Sequence, residues 1–178
     1  MKIRTDFVTN SSSSSFILAF KDEADYAKFQ ERCEYDDYKA FGRLIKRRLK
    51  DGPIYGFTDE NTKSHKDVAL AFLKFHYSHE YKREIIEEKL DRSQYKEFRD
   101  YLVTERELTE SEDFQKQIEE YLERHEEYNE KVARVKESEI IVTCEIWDTS
   151  GGLLEWAIRN DFVRQEFWEW LIYQIDIG

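Results

Sequence analysis

The stretch Glu139-Ile140-Ile141-Val142-Thr143-Cys144-Glu145-Ile146-Trp147 decides the fold. Before Glu139 the apolar residues recur at helical spacing. From Ile140 the period becomes two: Ile140, Val142, Cys144 and Ile146 alternate with Ile141, Thr143, Glu145 and Trp147. That alternation predicts a half-buried strand over about 139–147. A strand needs a partner and a cover, because even a two-stranded sheet is marginal alone. The partner with the same character is Phe16-Ile17-Leu18-Ala19-Phe20, where Phe16, Leu18 and Phe20 share one face. Pairing these segments ties the two ends of the chain together. The expectation is an α+β fold, mostly helical, organised as a single domain over 1–178 with residues 1–15 as a polar lead-in.

The helices lie between the strands. Lys21–Glu34 has helical spacing, and Asp36 or Asp37 is placed to cap a second helix that Asp51-Gly52-Pro53 stops near Lys50. The stripe of that second helix is Tyr38, Phe41, Ile45 and Leu49. Ile54–Phe57 is too short to assign from its pattern, a small edge strand being one option. Ser64-x-x-Asp67 opens a long helix to about Leu90, with a seam of Val68, Phe72, Phe75, His79, Lys82 and Ile86. A shorter helix over about 93–103 presents Tyr95, Phe98 and Leu102. Thr109-x-x-Glu112 opens another whose stripe, Phe114, Ile118, Tyr121, His125, Tyr128, Val132 and Val135, is 4-3-4-3-4-3 without a break. If the two long helices pack, His79 and His125 are placed to face each other. After the Asp148–Gly152 turn, a helical region from about Leu153 is expected to close the chain.

Composition excludes several classes. Of 178 residues, 27 are aromatic, six are Gly and one is Pro, so the chain has the means to build a core and few points at which to break helices. No apolar run approaches the roughly 20 residues that span a bilayer. Two cysteines 111 residues apart give no disulfide framework. The first 15 residues lack the apolar core of a signal peptide, which leaves the Asn10-Ser11-Ser12 glycosylation sequon without a secretory route; a cytoplasmic location is expected. The net charge of −11 is uneven: residues 1–56 hold 11 basic and 9 acidic side chains, against 15 and 22 in 57–138 and 2 and 8 in 139–178. Any contact with phosphate backbones therefore falls to the N-terminal third.

Three groups carry chemical interest. Arg43, Lys46, Arg47, Arg48 and Lys50 put five cations on one helix, opposite its apolar stripe, where they are placed to meet nucleic acid, an anionic surface or an acidic partner. His76, His79 and Glu80 are neighbours on a helix and are of metal-ligating type for zinc or iron. They match neither the H-E-x-x-H pattern nor its inversion, so they are weak candidates and no cofactor is expected. Asn10 and Ser11–Ser15 form a dense run of hydroxyl and amide groups suited to an anion, a modification or a recognised tag. Asp148-Thr149-Ser150 occurs once in a helical chain, whereas aspartic-protease chemistry needs two carboxylates sharing a proton. No nucleotide-binding glycine pattern and no activated Ser or Cys is present.

The segment Phe7-Val8-Thr9-Asn10-Ser11-Ser12-Ser13-Ser14-Ser15-Phe16 resembles the opening of a scattered group of uncharacterised bacterial and bacteriophage proteins. Those begin with a short basic start, here Met1–Arg4, then Phe-Val-(Ser/Thr)-Asn, about five serines, Phe and an apolar strand. The resemblance covers about 17 residues and implies a bacterial or phage origin rather than a chemistry. The expectation is a non-enzymatic interaction or accessory protein with a protein partner, acting through the serine-rich N-terminus or an aromatic C-terminal surface. The alternatives are nucleic-acid binding through residues 43–50 and a metal-dependent hydrolase at His76, His79 and Glu80.

Overall fold

The computed structural model describes residues 13–35, 38–53, 64–147 and 162–177. Asn10–Ser12, Asp36 and Asp37, Ile54–Phe57, the Asp148–Gly152 turn and the Leu153 region lie outside them. In chain order the elements are β1 (Ser13–Phe20), α1 (Glu23–Arg32), α2 (Lys39–Asp51), α3 (His65–Lys89), a 3-10 turn (Arg92–Gln94), α4 (Phe98–Glu110), α5 (Glu112–Arg124), α6 (Glu126–Glu137), β2 (Ile140–Trp147), α7 (Phe162–Glu166) and β3 (Leu171–Ile177). The architecture is the expected mostly helical α+β, and it divides into two compact units: residues 1–70 with 133–178, and residues 71–132.

The first unit is built on an antiparallel sheet of order β2-β1-β3. The expected pairing is present, with Phe16 opposite Cys144, Leu18 opposite Val142 and Phe20 opposite Ile140. The strand starts earlier than the apolar pattern indicates, because Ser13–Ser15 pair with β2 on one side and β3 on the other. β3 itself is a correction: the C-terminal segment runs as a strand, not as a helix to the end. Its register with β1 shifts between Ile17 and Leu18, an irregularity that the Phe167–Trp170 turn feeds.

Phe16, Leu18 and Phe20 point into a cluster with Phe29, Cys33, Phe41, Ile45, Val163, Phe167 and Trp170. Burying a ring of this size contributes about 1.5–3 kcal/mol, whereas an exposed pair such as Arg32–Glu166 contributes about 0–1. The aromatic cluster, not the surface charge, holds this unit. Three polar contacts orient it. The Trp170 indole donates to Asp25 at 3.1 Å; Arg134 donates to the carbonyls of Leu171 and Glu169; Lys66 donates to those of Lys136 and Ser138.

Helix starts follow local chemistry. The Ser64 hydroxyl accepts from Asp67 N–H while the Asp67 carboxylate accepts from Ser64 N–H, a reciprocal cap. Asp22 caps α1. Tyr38 begins α2 with no side-chain cap.

Three helical expectations need correction. The shorter helix spans Phe98–Glu110 rather than about 93–103, and Thr109 lies inside it; Ser111 caps α5 instead, accepting from Phe114 N–H at 3.3 Å. The long helix expected after it is broken at His125, whose ψ of 104° is extended. The buried side of α3 is Val68, Ala69, Phe72, Leu73 and Tyr77, leaving Phe75 half-buried and His79 exposed. Two apolar pairs, Val68/Ala69 and Phe72/Leu73, compete for the buried side, and packing rotates the helix toward Leu73 and Tyr77. In the second unit Phe114, Ile118 and Leu122 complete the buried set, and Tyr81 stacks on Tyr121 at 4.5 Å.

Candidate functional site

α2 is the most sharply divided helix. Phe41, Gly42 and Ile45 are buried, with Tyr38, Leu44 and Leu49 packed against the same core. At 3.6 residues per turn, Lys39, Arg43, Lys46, Arg47 and Lys50 fall within an arc of about 100° on the other side. Arg43, Lys46, Arg47 and Lys50 are exposed, and none of the four is ion-paired among the described residues. Arg48 lies off this arc and is half-buried. Four of the five expected cations thus form one solvent-facing stripe.

The underside of that helix is pinned. A Cβ on Gly42 would lie 2.6 Å from Cys33 Cβ, so glycine is what permits α1 and α2 to approach so closely. At the C-terminus, the Arg48 carbonyl accepts from Gly52 N–H at 3.0 Å, with Gly52 at φ 85°. The same carbonyl lies 3.0 Å from Nε2 of His65, whose Nδ1 accepts Thr143 N–H at 3.1 Å and meets the Thr143 hydroxyl at 2.9 Å. The backbone N–H fixes Nδ1 as acceptor, so the proton sits on Nε2. Burial holds the imidazole below its ordinary pKa, opposed by its bond to the Arg48 carbonyl and reinforced by the Arg48 charge. Nothing in the spacing of His65 connects it to Arg48 or Thr143 in the sequence; only the fold brings them together.

Of the serine tract, Ser13–Ser15 lie in the central strand, where both neighbouring strands pair with their main chain. Asn10, Ser11 and Ser12 lie outside the described residues.

His76 Nε2 lies 3.3 Å from Glu80 Oε1, one turn along α3. Burial lowers the His76 pKa against the opposing pull of Glu80. His79 is exposed and packs beside Phe75, ring centroids 6.1 Å apart. Among the described residues no three His, Cys, Asp or Glu side chains gather as a metal-holding group. The expected pairing of His79 with His125 is absent. His125 instead sits edge-on to Tyr77 at 4.8 Å and to Tyr121 at 5.1 Å, and its Nδ1 accepts Tyr128 N–H at 3.2 Å, capping α6.

Around this helix break opens a cleft of about 720 Å³, lined by Tyr81, Glu120, Tyr121, His125, Glu127 and Glu130 among others. Burial and then the Glu84, Glu80 and Glu127 carboxylates raise the Tyr121 phenol pKa. The Glu127 carboxylate is lowered by the Lys131 ammonium, which donates to it at 2.5 Å and to the Tyr77 hydroxyl at 3.0 Å. The chain's own lysine thus already supplies a cation to this acidic, aromatic surface.

α4 has no buried residue. Phe98 is 57% exposed, Leu102 45% and Val103 48%, while Tyr101 and Leu108 make the helix's inner contacts as half-buried residues. The Arg92 guanidinium lies 5.2 Å from the Phe98 ring centroid. Phe98 and Leu102, which the helical spacing sets on one stripe with Tyr95, both face solvent. Of the two tryptophans whose burial is described, Trp170 is in the core and Trp168 is 66% exposed. No helix among the described residues is long and apolar enough to cross a membrane. No protein-family model, no curated protein and no solved structure matches the chain.

Proposed function

We propose that this chain is a non-enzymatic interaction protein whose partner is another protein. The observation that carries the reading is α4, where Phe98, Leu102 and Val103 are exposed on a helix that has no fully buried residue. Isolated exposed apolar residues are ordinary, but three within six positions, with the Arg92 guanidinium over the Phe98 ring, favour a surface that meets another protein. Exposed Trp168 supports the same reading for the C-terminal region. The bacterial or phage origin rests on the resemblance of Phe7–Phe16 to that group of proteins.

The test compares the full chain with Phe98→Glu/Leu102→Glu, both immobilised and exposed to bacterial lysate. Because both residues are exposed, the variant keeps its fold, which circular dichroism checks. The reading expects one protein retained in stoichiometric amount by the wild type, lost by the variant, and rebinding when purified. Equal retention by both proteins would overturn it.

A further inference from the structure

We infer that the outer face of α2 is a binding site for the phosphate backbone of duplex nucleic acid. Arg43, Lys46, Arg47 and Lys50 are exposed and without ion-pair partners among the described residues, within a chain of net charge −11. From Arg43 to Lys50 they cover about 10 Å of helix axis. A duplex strand carries a phosphate every ~3.4 Å of its axis, so that length faces about four phosphates.

The make-up of the face separates a nucleic acid from an acidic protein. Protein interfaces draw their energy from buried aromatic and apolar anchors. The arc of α2 that holds the cations contains no such side chain; Phe41, Leu44, Ile45 and Leu49, the large apolar residues of the helix, lie on the core side. A stripe of charge without anchors suits a regular polyanion read through its phosphates rather than its bases. The stripe is also rigid, with Phe41 and Ile45 in the core, Gly42 against Cys33, and the last turn held by His65 through the Arg48 carbonyl. The acidic surplus of the chain as a whole favours approach of a phosphate backbone through a cationic face such as this one.

The experiment measures fluorescence anisotropy of a labelled 20-base-pair DNA duplex titrated with the full chain between 50 and 200 mM salt. Four phosphate contacts give a slope of log affinity against log salt of roughly −3.6, a loss of about a hundredfold across that range. Arg43→Gln/Arg47→Gln should reduce the slope by about two. Lys74→Gln/Lys89→Gln, which removes the same charge from α3, should leave it unchanged. Absence of binding at 50 mM salt overturns the inference. So does an equal loss in both double variants, which would make the effect one of net charge alone. Tighter binding of poly-glutamate than of the duplex would assign the face to an acidic protein and overturn it as well.

Discussion

His65 Nε2 lies 3.0 Å from the main-chain carbonyl of Arg48, joining the first residue of α3 to the last turn of α2. Its other nitrogen accepts Thr143 N–H, so one neutral imidazole connects two helices and a strand of the same unit. Protonation places a second N–H against the Thr143 donor and removes that bond.

Burial lowers the folded-state pKa of His65 below its ordinary value of 6.5. The unfolded chain therefore binds the proton first, and the stability contributed by the neutral form is complete above pH 6.5. It is lost as pH falls from there toward the lower folded value. Urea unfolding at a series of pH values should show this decline, and His65→Ala should flatten it. The same variant should cost about 1–3 kcal/mol at neutral pH by leaving the Thr143 N–H and part of the Arg48 carbonyl's capacity unpaired.

Gly42→Ala replaces a weak helix former with the best one, a gain of about 1 kcal/mol in an exposed helix. Here the new methyl would meet Cys33 Cβ at 2.6 Å and Sγ at 3.2 Å, and the core behind it includes fully buried Phe29 and Phe41. Overpacking of this kind costs about 1–3 kcal/mol, so the clash outweighs the propensity. A lower urea midpoint with an unchanged slope is the expected result; a higher midpoint would show that α1 and α2 can separate without loss.

His125→Ala removes the acceptor for Tyr128 N–H at the start of α6 and should destabilise the protein by about 0.5–2 kcal/mol. His125→Asn restores a capping group without the ring. Recovery of most of the melting temperature by Asn would assign the loss to the cap. No recovery would assign it to the edge-on contacts with Tyr77 and Tyr121.

Cys33 and Cys144 are both buried and neither is in a disulfide, and burial pushes the Cys33 thiol up to about 12. Only the thiolate reacts, so Cys33 should be inert to a thiol reagent at pH 8 in the folded protein. Cys144, 3% exposed, is shielded by the same core. Both should label together on addition of urea, at the midpoint seen by circular dichroism. Fast labelling of either one under native conditions would contradict the packing of β1 on β2 and α2.

The cationic stripe was legible in the sequence because helical period alone sorts Arg43, Lys46, Arg47 and Lys50 away from Phe41 and Ile45. That these cations have no carboxylate partner among the described residues is a matter of which surfaces meet, and no spacing records it. The outward turn of Phe98 and Leu102 was hidden for the same reason, since an apolar pair one turn apart reads the same whether it is covered or not.

By itself the sequence determined the two strands that open and follow the helical region, the reciprocal Ser64–Asp67 cap, the amphipathic α2 and the α+β class. Each rests on side chains within a few positions of one another, where steric period and local hydrogen bonds decide. Tertiary structure decided the rest. Leu171–Ile177 is apolar enough to suit either period and becomes a strand because the free edge of β1 supplies hydrogen bonds. The 4-3 stripe through His125 continues across a backbone break, because side-chain period does not register a single extended residue whose imidazole caps the next helix by accepting Tyr128 N–H. His65 gained its role from Arg48 and Thr143, 17 and 78 residues away, which only the folded chain brings within hydrogen-bond reach.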